Sequence, residues 1–486
     1  MIRKAYSSIL LFLALAVSVR AQEQEKVNYG AIATYDELAI PLYSIPDVLA
    51  EEDGTPITGV RQWEKRRGAI LEMLQKEMYG YMPAHPKGLH FKVGNVDETA
   101  IGGKATRKEV KVFLTADESV YFTMLMYVPN RKTGPVPAFL GLNFQGNHTI
   151  CDDPGITIFD REEIVSTRFE GIPERGSASS RWPVELLMDS GYALATIFYE
   201  EIAPDVPGCP YGGVLPLGYG LASDRIPAAV MDREGSEGHP VASDWGTICA
   251  WAWGLSCAMD YLVTDPALDP GKIAVLGHSR LGKTSLWAAA MDKRFAMAVS
   301  SCSGCCGAAF SRRRVGETLA AVRQNFPQWF APVFDRYADD ESTLPFDQHF
   351  LVALIAPRPV YITSASGDIW ADPHGEFLSG KLASPAFALY GEKGLVTDPG
   401  MAEPVTGEYK RQSGYVITDV DRNGGIASGP ARDSGNVISD AILFTGFPRG
   451  NTPLTDGFVG YHVRTGVHDI DSYDWQQYIT FADKRM

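Results

Sequence analysis

The run Ile273-Ala274-Val275-Leu276-Gly277-His278-Ser279-Arg280-Leu281-Gly282-Lys283 carries a buried apolar stretch into a glycine-flanked serine. A serine on a sharp turn between a strand and a helix projects its hydroxyl from the sheet edge. The helix N-terminus behind it favours negative charge. The commoner spacing is Gly-x-Ser-x-Gly, whereas here the second glycine comes one residue later. Such a hydroxyl needs a base to take its proton and an acid to orient that base. Downstream lie His349, His374, His462 and His468. His468 follows Gly466 and precedes an amphipathic stretch from Tyr473 to Ala482, which makes it the expected base. His462 is expected on the preceding strand and His349 at the start of an apolar helix, both in packing or supporting roles. The acid should follow a late strand, and Pro359 to Ser364 leads directly to Gly367-Asp368. Asp368 is the choice; Asp372 is the rival, with a turn cap before Pro373 as its simpler reading. Ser300 to Gly304 offers no carboxylate, which favours Asp368. The backbone N–H of Arg280 and one from the loop after Phe144 would form an oxyanion hole. The Arg280 guanidinium could add a full positive charge there. A surface arginine is the less attractive reading, because cations are unfavourable at a helix N-terminus.

These residues need a scaffold. Arg61 to Met78 spaces Trp63, Ile70, Leu71, Leu74 and Met78 as an amphipathic helix. Leu89 to Asp97, Ala105 to Thr115 and Ser119 to Pro129 read as antiparallel strands joined by short turns. From Pro137 the rhythm changes. Ala138 to Phe144, Tyr192 to Phe198, Lys272 to Leu276, Ala296 to Ser301 and Pro359 to Ser364 are apolar strands. Helices at Trp245 to Leu262 and Thr284 to Met291 alternate with them. That alternation implies a parallel sheet with right-handed crossovers, an α/β class in the three-layer α/β-hydrolase manner. Glu403 to Phe458, rich in Gly, Pro, Asp, Asn and Ser, breaks the rhythm and reads as an insertion before the histidine loop. Residues 22–486 are otherwise expected to form a single catalytic domain.

Arg3 and Lys4, the apolar run Ile9 to Val19 and Val19-Arg20-Ala21 form an expected signal peptide over residues 1–21. The mature protein is therefore expected outside the cytoplasm, secreted or periplasmic, with no membrane partner. The formal charge is −15, and losing Arg3, Lys4 and Arg20 takes it to −18. An acidic surface excludes nucleic acid as an expected partner. Seven cysteines leave at least one thiol unpaired. Cys249 and Cys257 read as buried small hydrophobes, and Cys302, Cys305 and Cys306 lack partners at zinc-ligand spacing. No cofactor is expected, and a monomer is.

Gly277-His278-Ser279-Arg280-Leu281-Gly282-Lys283 resembles the G-x-S-R-x-G-K signature of the glucuronoyl esterases, carbohydrate esterase family 15. Ser303 to Ala309, Arg312-Arg313, Gly316-Glu317-Thr318, Leu344 to His349, Ala356 to Pro359, Trp370 to Pro373, Gly375-Glu376-Phe377 and Tyr473-Asp474-Trp475 are similar to the bacterial branch. The resemblance runs from about Trp63 to the end. It implies a serine esterase that cleaves the ester between (4-O-methyl-)glucuronic acid of glucuronoxylan and a lignin-derived alcohol. It further implies that Lys283 and Glu317 meet ring hydroxyls and that Trp370 walls one side of the pocket. The plainer readings are a helical lysine, a Glu317 ion pair with one of Arg312 to Arg314, and a core tryptophan. Fungal members place a glutamate in the region of Cys302, so Asp368 rests on the bacterial pattern. The rival activity is deacetylation of xylan or pectin. Asp419-Val420-Asp421-Arg422-Asn423-Gly424 resembles a calcium loop, but Pro430 stands at its twelfth position.

Overall fold

This computed structural model describes Tyr35, Ile40 and residues 43–160, 171–209, 212–218, 245–398, 436–437 and 446–486. The expected signal peptide, the calcium-like loop and most of 403–458 lie outside the described residues.

Three antiparallel strands open the sheet: β1 (His90–Ala100), β2 (Ala105–Phe113) and β3 (Tyr121–Pro129). Six parallel strands follow: β4 (Val136–Asn143), β5 (Ala193–Phe198), β6 (Leu268–His278), β7 (Met297–Ser301), β8 (Val360–Ala365) and β9 (Val459–Arg464). Among the described residues they form one nine-stranded sheet, in the order β9-β8-β7-β6-β4-β5-β3-β2-β1. β5, β7, β8 and β9 are buried at every position, as strands covered on both faces must be. β6 shows the two faces directly. Ile273 and Val275 enter one apolar core and Ala274 and Leu276 the other, following the two-residue period of a strand.

Helices α1 (Val60–Leu74), α2 (Thr247–Leu262), α3 (Arg280–Met291) and α4 (Pro373–Ala388) pack into the larger core. α5 (Ser472–Arg485) covers the other face through Trp475, Tyr478 and Phe481. α2 is apolar on nearly every side because it is enclosed nearly all round. This is the three-layer arrangement expected of an α/β-hydrolase. Three boundaries differ from the sequence reading by four residues. α1 ends at Leu74 and passes into a π-turn at Gln75–Tyr79. β6 starts at Leu268 rather than Lys272. α3 starts at Arg280 rather than Thr284, since Ser279 itself is its N-cap. The described end of the insertion, residues 446–458, is bound to the core: Phe447 and Leu454 are buried, and Leu454 bridges Tyr461 of β9.

Candidate active site

Ser279 joins β6 to α3 at φ 58° and ψ −130°, a region that costs a residue with a side chain free energy. Packing holds it there. The Ser279 N–H donates to the Ser301 carbonyl at 2.8 Å. A Cβ on Gly277 would lie 1.8 Å from the Leu281 carbonyl oxygen, so the turn closes only over glycine. A Cβ on Gly282 would stand 3.0 Å from the Ser303 Cβ and 3.1 Å from the Gly277 carbonyl oxygen. The late second glycine is thus where α3 passes closest to β7 and the loop after it.

His468 and Asp368 come from loops after β9 and β8, and His468 Nδ1 lies 2.5 Å from Asp368 Oδ2. Asp368 is buried, and its loop is tied to the histidine loop by the Gly367 N–H on the Gly466 carbonyl at 2.7 Å. The His468 ring centroid is 4.6 Å from that of His278, the residue before the nucleophile. Ser279, His468 and Asp368 all line one pocket of about 610 Å³. Asp372 is not part of this set. It is buried in an ion pair, with Arg313 Nε 2.8 Å from its Oδ2, and it stands at the N-cap of α4.

The other expected residues also line the pocket: Arg280, Lys283, Glu317 and Trp370. Glu317 does pair with a cation, but with Lys283 at 2.6 Å rather than with the arginine run. Those arginines have their own acids: Arg312 with Asp347, Arg313 with Asp372 and Arg314 with Glu341. Lys283 Nζ also donates to the Ser303 carbonyl at 2.6 Å and the Cys305 carbonyl at 2.5 Å. Its three donors are thereby engaged, whereas the Glu317 carboxylate retains acceptor capacity. The charge on Arg280 is not uncompensated, because its guanidinium pairs with buried Asp205. It also lies over Trp329, 4.9 Å from the ring centroid, and over Phe326 at 5.2 Å.

Several residues here were not singled out from the sequence. Arg464, on β9, donates to the Val467 carbonyl at 3.0 Å and the Asp469 carbonyl at 2.9 Å, clamping the loop that carries His468. Its Nε bonds Asp474 at 3.0 Å, and His462 Nε2 meets the same carboxylate at 2.9 Å, the supporting role expected of His462. Glu376 of α4 accepts from the Ser303 and Gly304 amides at 2.6 and 3.1 Å, fixing the pocket loop. Burial nevertheless pushes its carboxyl up to about 8. Tyr35, Phe326 and Trp329 complete much of the wall. His349 packs on Phe310 and bonds the Pro46 carbonyl, away from the pocket. All seven cysteines are unpaired. Cys302 brings its sulfur within 4.8 Å of ligand atoms of Asp368 and His468, a proximity that spacing along the chain concealed.

A family model described as glucuronyl esterase, fungi, matches residues 239–391. Carbohydrate esterase MZ0003, from an unknown prokaryotic organism, is 40% identical over 461 residues, spanning 93% of this chain and 92% of that one. The chain belongs to the glucuronoyl esterase family, carbohydrate esterase family 15. Solved members of the family superpose across its length. A promiscuous family 15 esterase from a marine bacterial metagenome is 38% identical with a TM-score of 0.73, over 93% of this chain and 100% of that one. The glucuronoyl esterase from Solibacter usitatus is 37% identical with the same TM-score of 0.73, again over 93% and 100%.

Proposed function

We propose that this family 15 member hydrolyses the ester linking (4-O-methyl-)glucuronic acid of glucuronoxylan to an alcohol, through an acyl-enzyme on Ser279. The observation that carries this reading is the composition of one pocket: the Ser279, His468 and Asp368 set opens beside Arg280, Glu317 and Trp370. An acetyl group needs no such polar wall, whereas a sugar acid has ring hydroxyls to satisfy.

In this mechanism Ser279 Oγ attacks the uronoyl carbonyl and passes its proton to His468, whose orientation Asp368 holds. Negative charge collects on the former carbonyl oxygen, met by the Arg280 backbone N–H at the start of α3 and by the Arg280 side chain. Arg280 lines the same pocket as Ser279, which places its positive charge beside that oxygen. The intermediate collapses, and His468 protonates the departing alcohol. Water, deprotonated by His468, then attacks the acyl-enzyme and frees the uronic acid. Glu317 accepts a ring hydroxyl, Lys283 fixes Glu317 and the adjoining loop, and Trp370 walls the sugar. Export to the periplasm or the medium, argued from Arg3, Lys4 and the apolar run after them, suits a polysaccharide substrate.

Hydrolysis of methyl glucuronate beside acetylated xylan tests the assignment. Turnover of the uronate ester with little deacetylation is expected. Strong deacetylation with an inert uronate ester would leave the nucleophile in place and overturn the uronoyl reading.

A further inference from the structure

Asp205, in the loop beyond β5, has no exposed side-chain surface and sits against the pocket floor rather than in the pocket lining. Among the described residues, three nitrogen donors and one hydroxyl meet its carboxylate. Oδ1 accepts from Gln328 Nε2 at 2.9 Å and from Trp329 Nε1 at 2.8 Å. Oδ2 accepts from Arg280 Nη1 and lies 3.1 Å from the Tyr199 hydroxyl, which stands at the same distance from Glu200 Oε1. Several directional donors thus hold this carboxylate at once. It joins three segments distant in sequence: the loop after β5, the first residue of α3, and the 326–329 segment, whose Trp329 ring also lies under the guanidinium.

A half-buried arginine beside a nucleophile has two ways to be wrong. Without a counter-charge its desolvation is costly, and with a flexible counter-charge its donors point variably. Asp205 removes both difficulties. It takes up Nη1, the Trp329 ring lies against the guanidinium, and the Arg280 residue so held lines the pocket beside Ser279. Electrostatic stabilisation of a developing oxyanion depends on such donors being aimed before the reaction starts.

We infer that Asp205 is a positioning residue for the esterase reaction, holding Arg280 so that its side chain meets the tetrahedral oxyanion. This rests on the proposed place of Arg280 at that oxyanion, and it concerns how the acyl step is stabilised, not which acyl group is chosen.

A double-mutant cycle tests it. Wild type, Arg280→Ala, Asp205→Asn and the double variant are assayed on benzyl glucuronate and, separately, on p-nitrophenyl acetate. Failure of the uronate reading alone would silence the first substrate and leave the cycle readable on the second. Asp205→Asn should lower kcat about 10- to 100-fold, approaching the loss of one oxyanion donor, while KM changes little. In the Arg280→Ala background the same substitution should cost no further activity. A structural role alone would give equal fold-losses in both backgrounds, and that additivity would overturn the inference, as would a wild-type kcat for Asp205→Asn. Should Asp205→Asn fail to fold, Trp329→Phe removes one donor to Oδ1 and keeps a ring beneath Arg280. Its loss of kcat should likewise vanish when Arg280 is absent, and persistence of the loss would overturn the inference.

Discussion

Asp368 and Asp372 are both buried and lie one short turn apart, yet they face different partners. Asp368 meets His468 and Asp372 meets Arg313. Their amide variants should therefore fail differently. Asp368→Asn keeps the shape but no longer fixes the imidazole tautomer, so kcat should drop by about 10⁴-fold with the melting temperature little changed. Asp372→Asn removes the negative charge paired with a fully buried guanidinium, so it should cost about 3–5 kcal/mol of stability, seen in chemical denaturation. The order serine, acid, histidine made Ser279, Asp368 and His468 legible, because each follows a strand end at the same edge of the sheet. The choice between the two aspartates rested only on turn chemistry, since Arg313 approaches from 59 residues away. Arg280 was legible by its place after the nucleophile, but its partner was not: Asp205 sits in an irregular loop with no periodicity to mark it.

At the scale of elements, two buried groups hold the catalytic loops. Arg464 belongs to a strand whose apolar pattern announces packing, so nothing in the sequence marked it as the clamp on the His468 loop. Arg464→Met should lower kcat by about 100-fold through displacement of the base, with a smaller change in KM, as steady-state kinetics on either ester would show. Glu376 gives a pH dependence. Its amide and hydroxyl donors favour the ionised form, but burial outweighs them, followed by the charge of Asp368, and its carboxyl stands at about 8 against an ordinary 4.5. A folded-state value above the unfolded one means that the native protein holds the proton more tightly. The resulting stability is fully present below about pH 4.5 and is lost as pH rises towards about 8. Thermal melts should thus fall across that window in the wild type, and Glu376→Gln should flatten the fall. The strands were read well because both-face burial writes continuous apolar runs. The start of α3 was misplaced because Arg280, Leu281 and Gly282 lack helical periodicity and answer to the serine turn instead.

Across the whole molecule, two apolar cores clamp the sheet from either side, and the pocket opens where β6, β8 and β9 release Ser279, Asp368 and His468. Antiparallel entry, parallel core and terminal helix were all visible as a change of rhythm along the chain. The meeting of Glu317 and Lys283 in one pocket was legible only through the family resemblance, and the place of Trp329 beside them was not legible, because long-range contacts leave no local period. The proposed export predicts that mass spectrometry of protein recovered outside the cytoplasm finds a mature N-terminus just after Ala21. Whether Ser279 carries the uronoyl group is decided by the rate of benzyl glucuronate hydrolysis by wild type and Ser279→Ala. Ready turnover by the wild type and a loss of at least about 10⁴-fold in the variant are expected. Equal rates in the two proteins, or a wild type that cleaves p-nitrophenyl acetate but leaves the glucuronate ester intact, would contradict that role of Ser279.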